Sequence, residues 1–267
     1  MNNFDYIDRS QTGVLFFFER IARSHPIFYI IARYFASKLN IFESEYNGLS
    51  KLKFTKKVNL LDIGASNGIS IKFFKSKLNL GKIFAVEPNE YYCEALKKIG
   101  NIKIYNFGLG DKDEKKKVFI PEYKFFNKKI DLVPYTFYDK KLLKKILSKN
   151  FFLYSNFRIN EKYLSLKKNI EIKSRIDLIK IDVNGYEFQI IKTLSQLIKK
   201  HKPLIMVEEL NKINKIDSYL SKLNYECYFY NTYSKKFIKY KKKIFNYKPL
   251  TFYFISKNNN YINFLKD

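Results

Sequence analysis

Two acidic residues, each at the end of a short apolar run, form the part of the sequence best suited to chemistry. Asp62 lies at the end of the first run and Glu87 ends the second, while Gly64 and Gly68 follow Asp62 at a spacing of four. A buried strand that turns sharply into a helix has this pattern. The glycines permit a positive φ and carry no Cβ, so a ligand can lie against the backbone and face the amides that open the helix.

The order of acid and glycine distinguishes two kinds of nucleotide cofactor. A dinucleotide fingerprint reads G-x-G-x-x-G and admits a pyrophosphate, whereas this loop reads D-x-G-x-x-x-G, with Asp62 before the turn. A carboxylate at that place repels a pyrophosphate and suits the ammonium of a methionine moiety. Glu87 follows Gly64 at close to the spacing of about 20 residues at which an acid binds a ribose diol. The two acids together predict S-adenosylmethionine as the cofactor.

A third loop completes the predicted cofactor site. Gly108–Asp111 follows the third predicted strand at the same edge of a doubly wound sheet, so the adenine is expected beside it. A plain turn before a hairpin explains this loop equally well. The predicted cofactor-binding residues are Asp62, Gly64, Ala65, Ser66, Asn67, Gly68, Glu87, Pro88, Asn89, Leu109, Gly110 and Asp111.

Three further acids are the candidate catalytic residues. Asp182 ends the fourth predicted strand and is expected to flank the transferable methyl group, Glu187 follows it, and Glu208 ends the fifth strand. A carboxylate close to the substrate can accept the proton of a hydroxyl nucleophile. The alternative for Asp182 and Glu187 is a turn and the start of a helix, where acids are favoured. The sequence does not choose the base among the three.

Composition bounds the class of protein. At 267 residues with 46% hydrophobic residues, the chain can form one large α/β domain with additions. No uncharged apolar stretch reaches the length of about 18 residues that suggests a transmembrane helix. The first residues lack the basic-then-apolar order of a signal peptide, so a cytoplasmic protein is expected. Cys93 and Cys227 lie far apart, which predicts neither a zinc site nor a disulfide framework, and no metal ligand is predicted.

The formal net charge of +26 suggests an anionic partner. Only six of the basic residues are arginines, the type favoured for bidentate recognition of phosphates and bases. The lysines therefore indicate a compositional bias at solvated positions, and no nucleic acid is favoured as a partner. A small-molecule or glycan acceptor is expected, while an anionic or lipid-linked substrate and a peripheral membrane contact stay open.

Strand and helix patterns alternate through most of the chain. Predicted strands lie near residues 58–63, 82–87, 102–107, 176–182, 203–208, 225–230 and 250–256, and predicted helices near 67–78, 90–99, 188–198 and 211–222. This alternation predicts an α/β fold with a doubly wound, mostly parallel, seven-stranded sheet of Rossmann-like type. The basic segment Lys235–Lys248 is interpreted as a solvated hairpin or loop.

Two segments fall outside this alternation. Residues 1–52 predict an N-terminal helical cap whose helix breaks or restarts at Pro26, and the alternative is an amphipathic segment resting on a membrane. Residues 53–267 are interpreted as the catalytic domain. Within it, the aromatic and lysine-rich insertion 121–172 before the fourth strand is expected to cover the active edge as a substrate cap.

These motifs resemble those of the FkbM family of S-adenosylmethionine-dependent methyltransferases. The resemblance covers about Val58–Tyr230 and rests on the segments Asp62–Ser70, Val86–Asn89 and Asp177–Val183, followed by Glu187 and Glu208. It implies the class I methyltransferase fold and O-methylation of a sugar or other small metabolite, in surface-glycan or natural-product pathways. The family pattern has Glu where this chain has Asn184, so no role of that acid carries over.

Two other functions stay open. The charge is compatible with an RNA or other nucleic-acid methyltransferase. Amino-methylating enzymes, however, carry an Asp/Asn-Pro-Pro-aromatic segment after the fourth strand, where this chain reads Asp182-Val183-Asn184-Gly185. A non-catalytic, membrane-associated scaffold would keep the same fold without binding the cofactor.

Overall fold

The structure is a computed structural model that describes residues 24–38, 43–208, 212–241 and 249–258. These residues divide into two units. The first unit contains residues 24–38 and 117–163, and the second contains residues 43–116, 164–208, 212–241 and 249–258.

The helices and strands follow the predicted alternation closely. The strands are β1 (Val58–Ile63), β2 (Leu80–Val86), β3 (Ile102–Tyr105), β4 (Gly108–Leu109), β5 (Glu114–Phe125), β6 (Lys128–Asp131), β7 (Arg158–Lys167), β8 (Leu178–Ile181), β9 (Leu204–Glu208), β10 (Tyr225–Asn231), β11 (Lys236–Lys239) and β12 (Thr251–Ser256). The α-helices are α1 (Pro26–Lys38), α2 (Ile69–Lys77), α3 (Glu90–Lys97), α4 (Lys140–Asn150), α5 (Glu187–Thr193), α6 (Ser195–His201) and α7 (Ile213–Ser221), and 3₁₀ helices span Ser44–Lys51 and Val133–Tyr135.

One sheet in the second unit has the strand order β11-β10-β12-β9-β8-β1-β2-β3. Strands β3, β2, β1, β8 and β9 run parallel, as expected for buried strands with near-continuous apolar sequence. The chain runs outward from β1 to β3 and then returns to β8 beside β1. In such sheets ligands bind at the carboxyl ends of the strands where the order reverses. The predicted doubly wound α/β fold is therefore confirmed, with its switch point between β1 and β8.

The strand count differs from the prediction. Among the described residues this sheet has eight strands rather than seven, because Lys236–Lys239, within the predicted basic hairpin or loop, pairs antiparallel with β10. Strand β12 is antiparallel to both β9 and β10, so the sheet is mixed. The predicted helix over 188–198 is two helices, α5 and α6, which meet at Leu194.

The insertion and the residues just before it have regular structure. Strands β4, β7, β5 and β6 form a second sheet in that order, with α4 following β6 in the chain. Its role as a substrate cap stays a prediction. Helix α1 begins at Pro26, as the sequence predicted, while residues 1–23 and 39–42 of the expected N-terminal cap lie outside the described residues. None of the described helices has the length and apolarity needed to cross a bilayer.

The 3₁₀ helix that precedes β1 is packed against the eight-stranded sheet. Glu45 is buried, and its carboxylate accepts hydrogen bonds from the amides of Leu250 at 3.1 Å and Thr251 at 2.7 Å. The hydroxyl of Tyr253 donates to the Glu45 carbonyl at 2.7 Å. Tyr46 belongs to the same apolar core as the strands. Residues 43–52 consequently belong to the second unit, and the domain division predicted at residue 52 stays a prediction.

We expect Glu45→Ala to destabilise the protein by about 2–4 kcal/mol, because two buried amides at the start of β12 would lose their acceptor. The free energy of unfolding in urea measures this loss. The matched control is Glu94→Ala, which removes an exposed carboxylate paired with Lys97 and should change stability by under about 0.5 kcal/mol. Equal effects of the two substitutions would contradict the packing of this segment.

Candidate functional site

The turn after β1 adopts the predicted backbone, with positive φ at both glycines. Gly64 has φ +76° and Gly68 has φ +77°, in the left-handed region that favours glycine. A Cβ on Gly64 would overlap the carbonyl oxygen of Asp182, and a Cβ on Gly68 would overlap the side chain of Ile99. The missing side chains therefore allow the turn to pack against the end of β8 and against the residues after α3. The contact of a ligand with this turn stays a prediction.

Asp62 is completely buried at the end of β1. Its Oδ2 accepts a hydrogen bond from Ser70 Oγ at 2.6 Å, and the ammonium of Lys180 lies 3.3 Å from Oδ1. The same ammonium donates to the carbonyl of Gly64 at 2.9 Å. Asp62 and Lys180 are directly opposite each other in the pairing of β1 with β8. In the structure Asp62 thus contacts the protein's own lysine, and its direct contact with a ligand ammonium stays a prediction.

Lys180 is the central residue that the sequence prediction missed. It is 2% exposed within a four-residue strand whose other members are apolar. Burial alone lowers the pKa of Lys180, but the carboxylates of Asp62, Asp182 and Glu208 raise it above its ordinary value. Lys180 therefore carries a positive charge in the middle of a group of acids. The signal available in the sequence was a lysine inside the apolar run of a buried strand.

Asp182 lies beside this lysine and remains accessible. Its Oδ2 is 3.5 Å from the Lys180 ammonium, and 32% of its side chain is exposed. Burial raises the pKa of Asp182, Lys180 counteracts that effect, and Glu43 and Asp62 add to the rise. Asp182 combines an accessible carboxylate with a pKa shifted towards neutrality. This combination suits a group that accepts a proton.

Glu43 and Tyr46, which precede β1 in the chain, belong to the same cluster of side chains. The ring of Tyr46 stacks on Phe74 with 5.8 Å between centroids, and the side chain is 1% exposed. Burial raises the pKa of Tyr46, and the carboxylates of Glu208, Asp182, Glu43 and Asp62 raise it further. Its hydroxyl consequently lies in the field of the acids at the strand ends. Sequence reasoning missed Glu43 and Tyr46 because they precede every recognisable motif.

Glu87 joins the end of β2 to the glycine turn. One carboxylate oxygen accepts a hydrogen bond from the Ser66 amide at 2.8 Å, and the other accepts from the Asn89 amide at 2.9 Å. Asn89 also caps α3 by accepting from the amide of Tyr91 at 3.0 Å. Burial raises the pKa of Glu87 to about 7, although the two amides and Lys180 lower it. Ser66, Glu87 and Asn89 are therefore brought together at one edge, as predicted.

The third predicted loop is held by the protein on two sides. The Gly110 amide donates to the carbonyl of Lys167 at 3.0 Å, and the Gly110 carbonyl accepts from Thr193 Oγ1 at 2.9 Å. Asp111 accepts a hydrogen bond from the Tyr186 hydroxyl at 3.1 Å. Leu109 is buried. The contact of this loop with adenine stays a prediction, as does that of Pro88 and Ala65 with the cofactor.

Glu187 has the structural role that was given as the alternative to catalysis, at a turn and the start of a helix. It is 1% exposed, and its Oε1 accepts hydrogen bonds from the amides of Val183 at 3.3 Å and Gly185 at 2.9 Å. The carboxylate thereby closes the turn between β8 and α5. Glu208, half-buried at the end of β9, remains with Asp182 as a candidate base.

The turn between Gly64 and Gly68 also carries polar atoms that lack partners. Ser66 Oγ and Asn67 Oδ1 are buried and have no hydrogen-bond partner among the described residues. Such atoms cost free energy unless a ligand or water supplies the partner. In the described part of the chain, no three His, Cys, Asp or Glu side chains are arranged to hold a metal ion. The two oxygen atoms of the turn are thus placed to bind hydrogen-bonding groups of a ligand or water.

We expect Lys180→Met to destabilise the protein by about 3–5 kcal/mol, because it leaves Asp62 buried without its cation. Chemical denaturation measures the change, and Lys199→Met on the exposed face of α6 is the control. Adding Asp62→Asn to Lys180→Met should cost less than Asp62→Asn costs alone, since the two side chains interact directly. Additive losses would contradict the ion pair.

The chain is similar to a protein-family model and to several solved structures. The sequence model of the Methyltransferase FkbM domain matches residues 62–227. No curated protein matches the chain. Among solved structures, the chain is similar to the methyltransferase FkbM from Methylobacillus flagellatus KT, with 14% identity and a TM-score of 0.46. That alignment covers 89% of this chain and 57% of the other, so the chain spans little more than half of that protein.

Two further structures are similar at greater distance. The chain is 16% identical to the plantazolicin methyltransferase BpumL in complex with SAH, with a TM-score of 0.35 over 76% of this chain and 63% of the other. It is 14% identical to M. capricolum TrmK in complex with S-adenosyl-homocysteine, with a TM-score of 0.36 over 82% and 70%.

The family match extends over more than half of the chain. It begins at Asp62 and includes Glu87, Lys180, Asp182 and Glu208, the residues that the fold gathers at the ends of β1, β2, β8 and β9. The chain belongs to the family of proteins that contain the methyltransferase FkbM domain.

Proposed function

We propose that this protein is an S-adenosylmethionine-dependent methyltransferase that methylates a hydroxyl group of a sugar or other small metabolite, such as part of a surface glycan or a natural product. The observation that carries the proposal is the contact of Glu87 with the Ser66 amide. It joins the acid of β2 to the glycine turn of β1, at the edge where doubly wound sheets bind nucleosides. Membership of the family agrees with it.

The residues at this edge fit the proposed cofactor. Each Glu87 oxygen uses one lone pair for an amide, which leaves capacity to accept hydrogen bonds from ribose hydroxyls. Ser66 and Asn67 offer polar atoms without partners among the described residues. Glu208 supplies negative charge for the cationic end of the cofactor. In this proposal Asp62 is a positioning residue, because it holds Lys180 and the turn and has no exposed surface.

The proposed mechanism relies on position and on one proton acceptor. When bound, the cofactor supplies an electrophilic methyl group on a sulfonium. Asp182 accepts the proton of the acceptor hydroxyl, since its carboxylate is accessible and burial raises its pKa. Lys180, 3.5 Å away, fixes that carboxylate and balances its charge. Orienting two reactants in a largely dry site supplies much of the remaining rate enhancement.

The proposal is tested by mass spectrometry of the protein purified under native conditions, followed by titration calorimetry with S-adenosylmethionine. Bound S-adenosylhomocysteine or micromolar affinity supports it. Release of S-adenosylhomocysteine in the presence of hydroxyl-bearing sugars, compared with RNA, then distinguishes the acceptors. A protein that binds neither form of the cofactor would favour the non-catalytic scaffold instead.

Affinity for S-adenosylhomocysteine should rise with pH up to about 7 and then level off. Folding holds the pKa of Glu87 above its ordinary 4.5, so protonated Glu87 predominates below about 7. Ribose hydroxyls donate to the ionised form, and binding below that pH therefore releases a proton. Calorimetry in two buffers of different ionisation enthalpy measures the release. Glu87→Gln should abolish the pH dependence and weaken binding by about tenfold or more, the cost of a charged hydrogen bond.

Asp182→Asn should lower turnover by a factor of about 10²–10⁴, the usual contribution of a general base. Cofactor affinity should change little, because the amide keeps the shape of the side chain. Initial rates of S-adenosylhomocysteine release measure turnover, and calorimetry measures cofactor affinity. Glu208→Gln is the comparison, and a larger loss of turnover there would reassign the base to Glu208.

A further inference from the structure

The hairpin of β5 and β6 in the first unit ends in the exposed segment Lys124–Lys129, hereafter the hairpin tip. Phe125 is 36% exposed and Phe126 is 87% exposed, and their ring centroids lie 4.8 Å apart. Phe126 has φ +51°, a left-handed conformation that bulky residues rarely adopt. An exposed aromatic side chain in that conformation adds nothing to the core. The two rings are therefore available for a partner.

The lysines of the hairpin tip repel one another. Lys124 is directly opposite Lys129 in the pairing of β5 with β6, and Lys128 is opposite Phe125. Like charges directly opposite each other destabilise an antiparallel pair. Within the residues that the structure describes, none of these lysines forms an ion pair with an acid. An anionic partner would relieve this repulsion.

The acids further along the same hairpin provide a contrast. Glu122 is opposite Asp131, but Asn160 Nδ2 donates to both carboxylates at 3.1 Å. Lys162 also forms an ion pair with Asp131 at 2.7 Å. The repulsion between these two acids is thus compensated by contacts inside the unit, whereas the repulsion between the lysines of the tip is not.

Two other exposed apolar segments adjoin the hairpin tip through Tyr154. The Tyr154 hydroxyl accepts a hydrogen bond from the Lys124 amide at 3.0 Å, and its ring contacts the ring of His25 at 5.3 Å between centroids. The amide of Leu153 donates to the Ser24 carbonyl at 3.0 Å. Phe152 and Leu153 are 55% and 62% exposed. The start of α1, the segment before Tyr154 and the hairpin tip are therefore neighbours.

Helix α1 has apolar side chains on two sides. Tyr29 packs against Tyr135 and Phe151 inside the unit. Phe28, Ile31 and Phe35 are exposed at helical spacing. With Phe125, Phe126, Phe152 and Leu153, these three residues form what we call the apolar surface of the first unit.

We propose that the apolar surface and the lysines of the hairpin tip dock on an anionic lipid bilayer. Exposed aromatic and aliphatic side chains enter the boundary between headgroups and acyl chains, while lysines bind anionic headgroups. Nucleic acid fits less well, because Ile31 and Leu153 cannot stack on bases and arginines are few in the sequence. The proposal concerns the first unit alone and does not depend on methyl transfer.

Sedimentation with vesicles tests the proposal on the full chain. The full chain should bind vesicles of equal parts phosphatidylcholine and phosphatidylglycerol, more weakly at higher salt, and bind vesicles of phosphatidylcholine alone much less. The double substitution Phe125→Thr with Phe126→Asn should reduce the partition coefficient by about tenfold or more, because it removes two apolar side chains. Asparagine adopts the left-handed conformation of residue 126 more readily than bulky residues do, so the fold should be retained.

A control substitution and a charge substitution separate the contribution of the apolar side chains to vesicle binding from that of the lysines. Tyr233→Asn alters a half-exposed aromatic side chain in the turn between β10 and β11 and should leave vesicle binding unchanged. Lys129→Glu should strengthen the hairpin by pairing with Lys124, yet weaken binding to the anionic vesicles. Stronger binding of Lys129→Glu would overturn the proposed role of charge.

A fluorescent reporter provides a second measurement. The sequence contains no tryptophan, so Phe126→Trp introduces a single one at the hairpin tip. Its emission should shift to shorter wavelength when anionic vesicles are added, and the emission of Tyr233→Trp should not shift. No shift at position 126, equal sedimentation of the double variant and the native protein, or binding to a single-stranded oligonucleotide in preference to vesicles would overturn the proposal.

Discussion

The buried ammonium of Lys180 is the interaction on which the site depends. It contacts the carboxylate of Asp62, the carbonyl of Gly64 and the carboxylate of Asp182, and so joins the ends of β1 and β8 where the strand order reverses. Without that charge, the acids at these strand ends would be buried close together with no cation, which protein interiors do not tolerate. The lysine therefore permits a concentration of carboxylates that parallel strands alone could not stabilise.

Packing and chemistry use the same contacts at this edge. The turn after β1 approaches the carbonyl of Asp182 so closely that only glycine fits at position 64. That approach also places the backbone of the turn beside the acid that is the best candidate for accepting a proton. Glu87 acts similarly, since its carboxylate binds the turn through the Ser66 amide and retains capacity for a ligand. The residues that shape the site thus also hold the sheet together.

The sequence revealed the strand ends but not their partners. Asp62, Glu87, Asp182 and Glu208 were recognisable because an acid that ends an apolar run marks the edge of a parallel sheet. The pairing of Asp62 with Lys180 joins positions far apart in the chain, and no local pattern specifies it. Glu45 and Tyr46 lie in a short polar segment without periodicity, so their burial depends on tertiary contacts alone. Strand β11 was not predicted as a strand of the sheet, because its lysines made the segment resemble a solvated hairpin or loop.

The position of β12 has a consequence for synthesis on the ribosome. This strand is the last described one in the chain, yet it lies inside the sheet between β9 and β10. The amides of Leu250 and Thr251 at its start bind Glu45, which precedes every described strand. Strands β9 and β10 therefore emerge with an open gap between them and expose unpaired backbone until β12 is made. Pairings between such distant segments form slowly. The nascent second unit accordingly cannot complete its sheet until translation has passed Ser256.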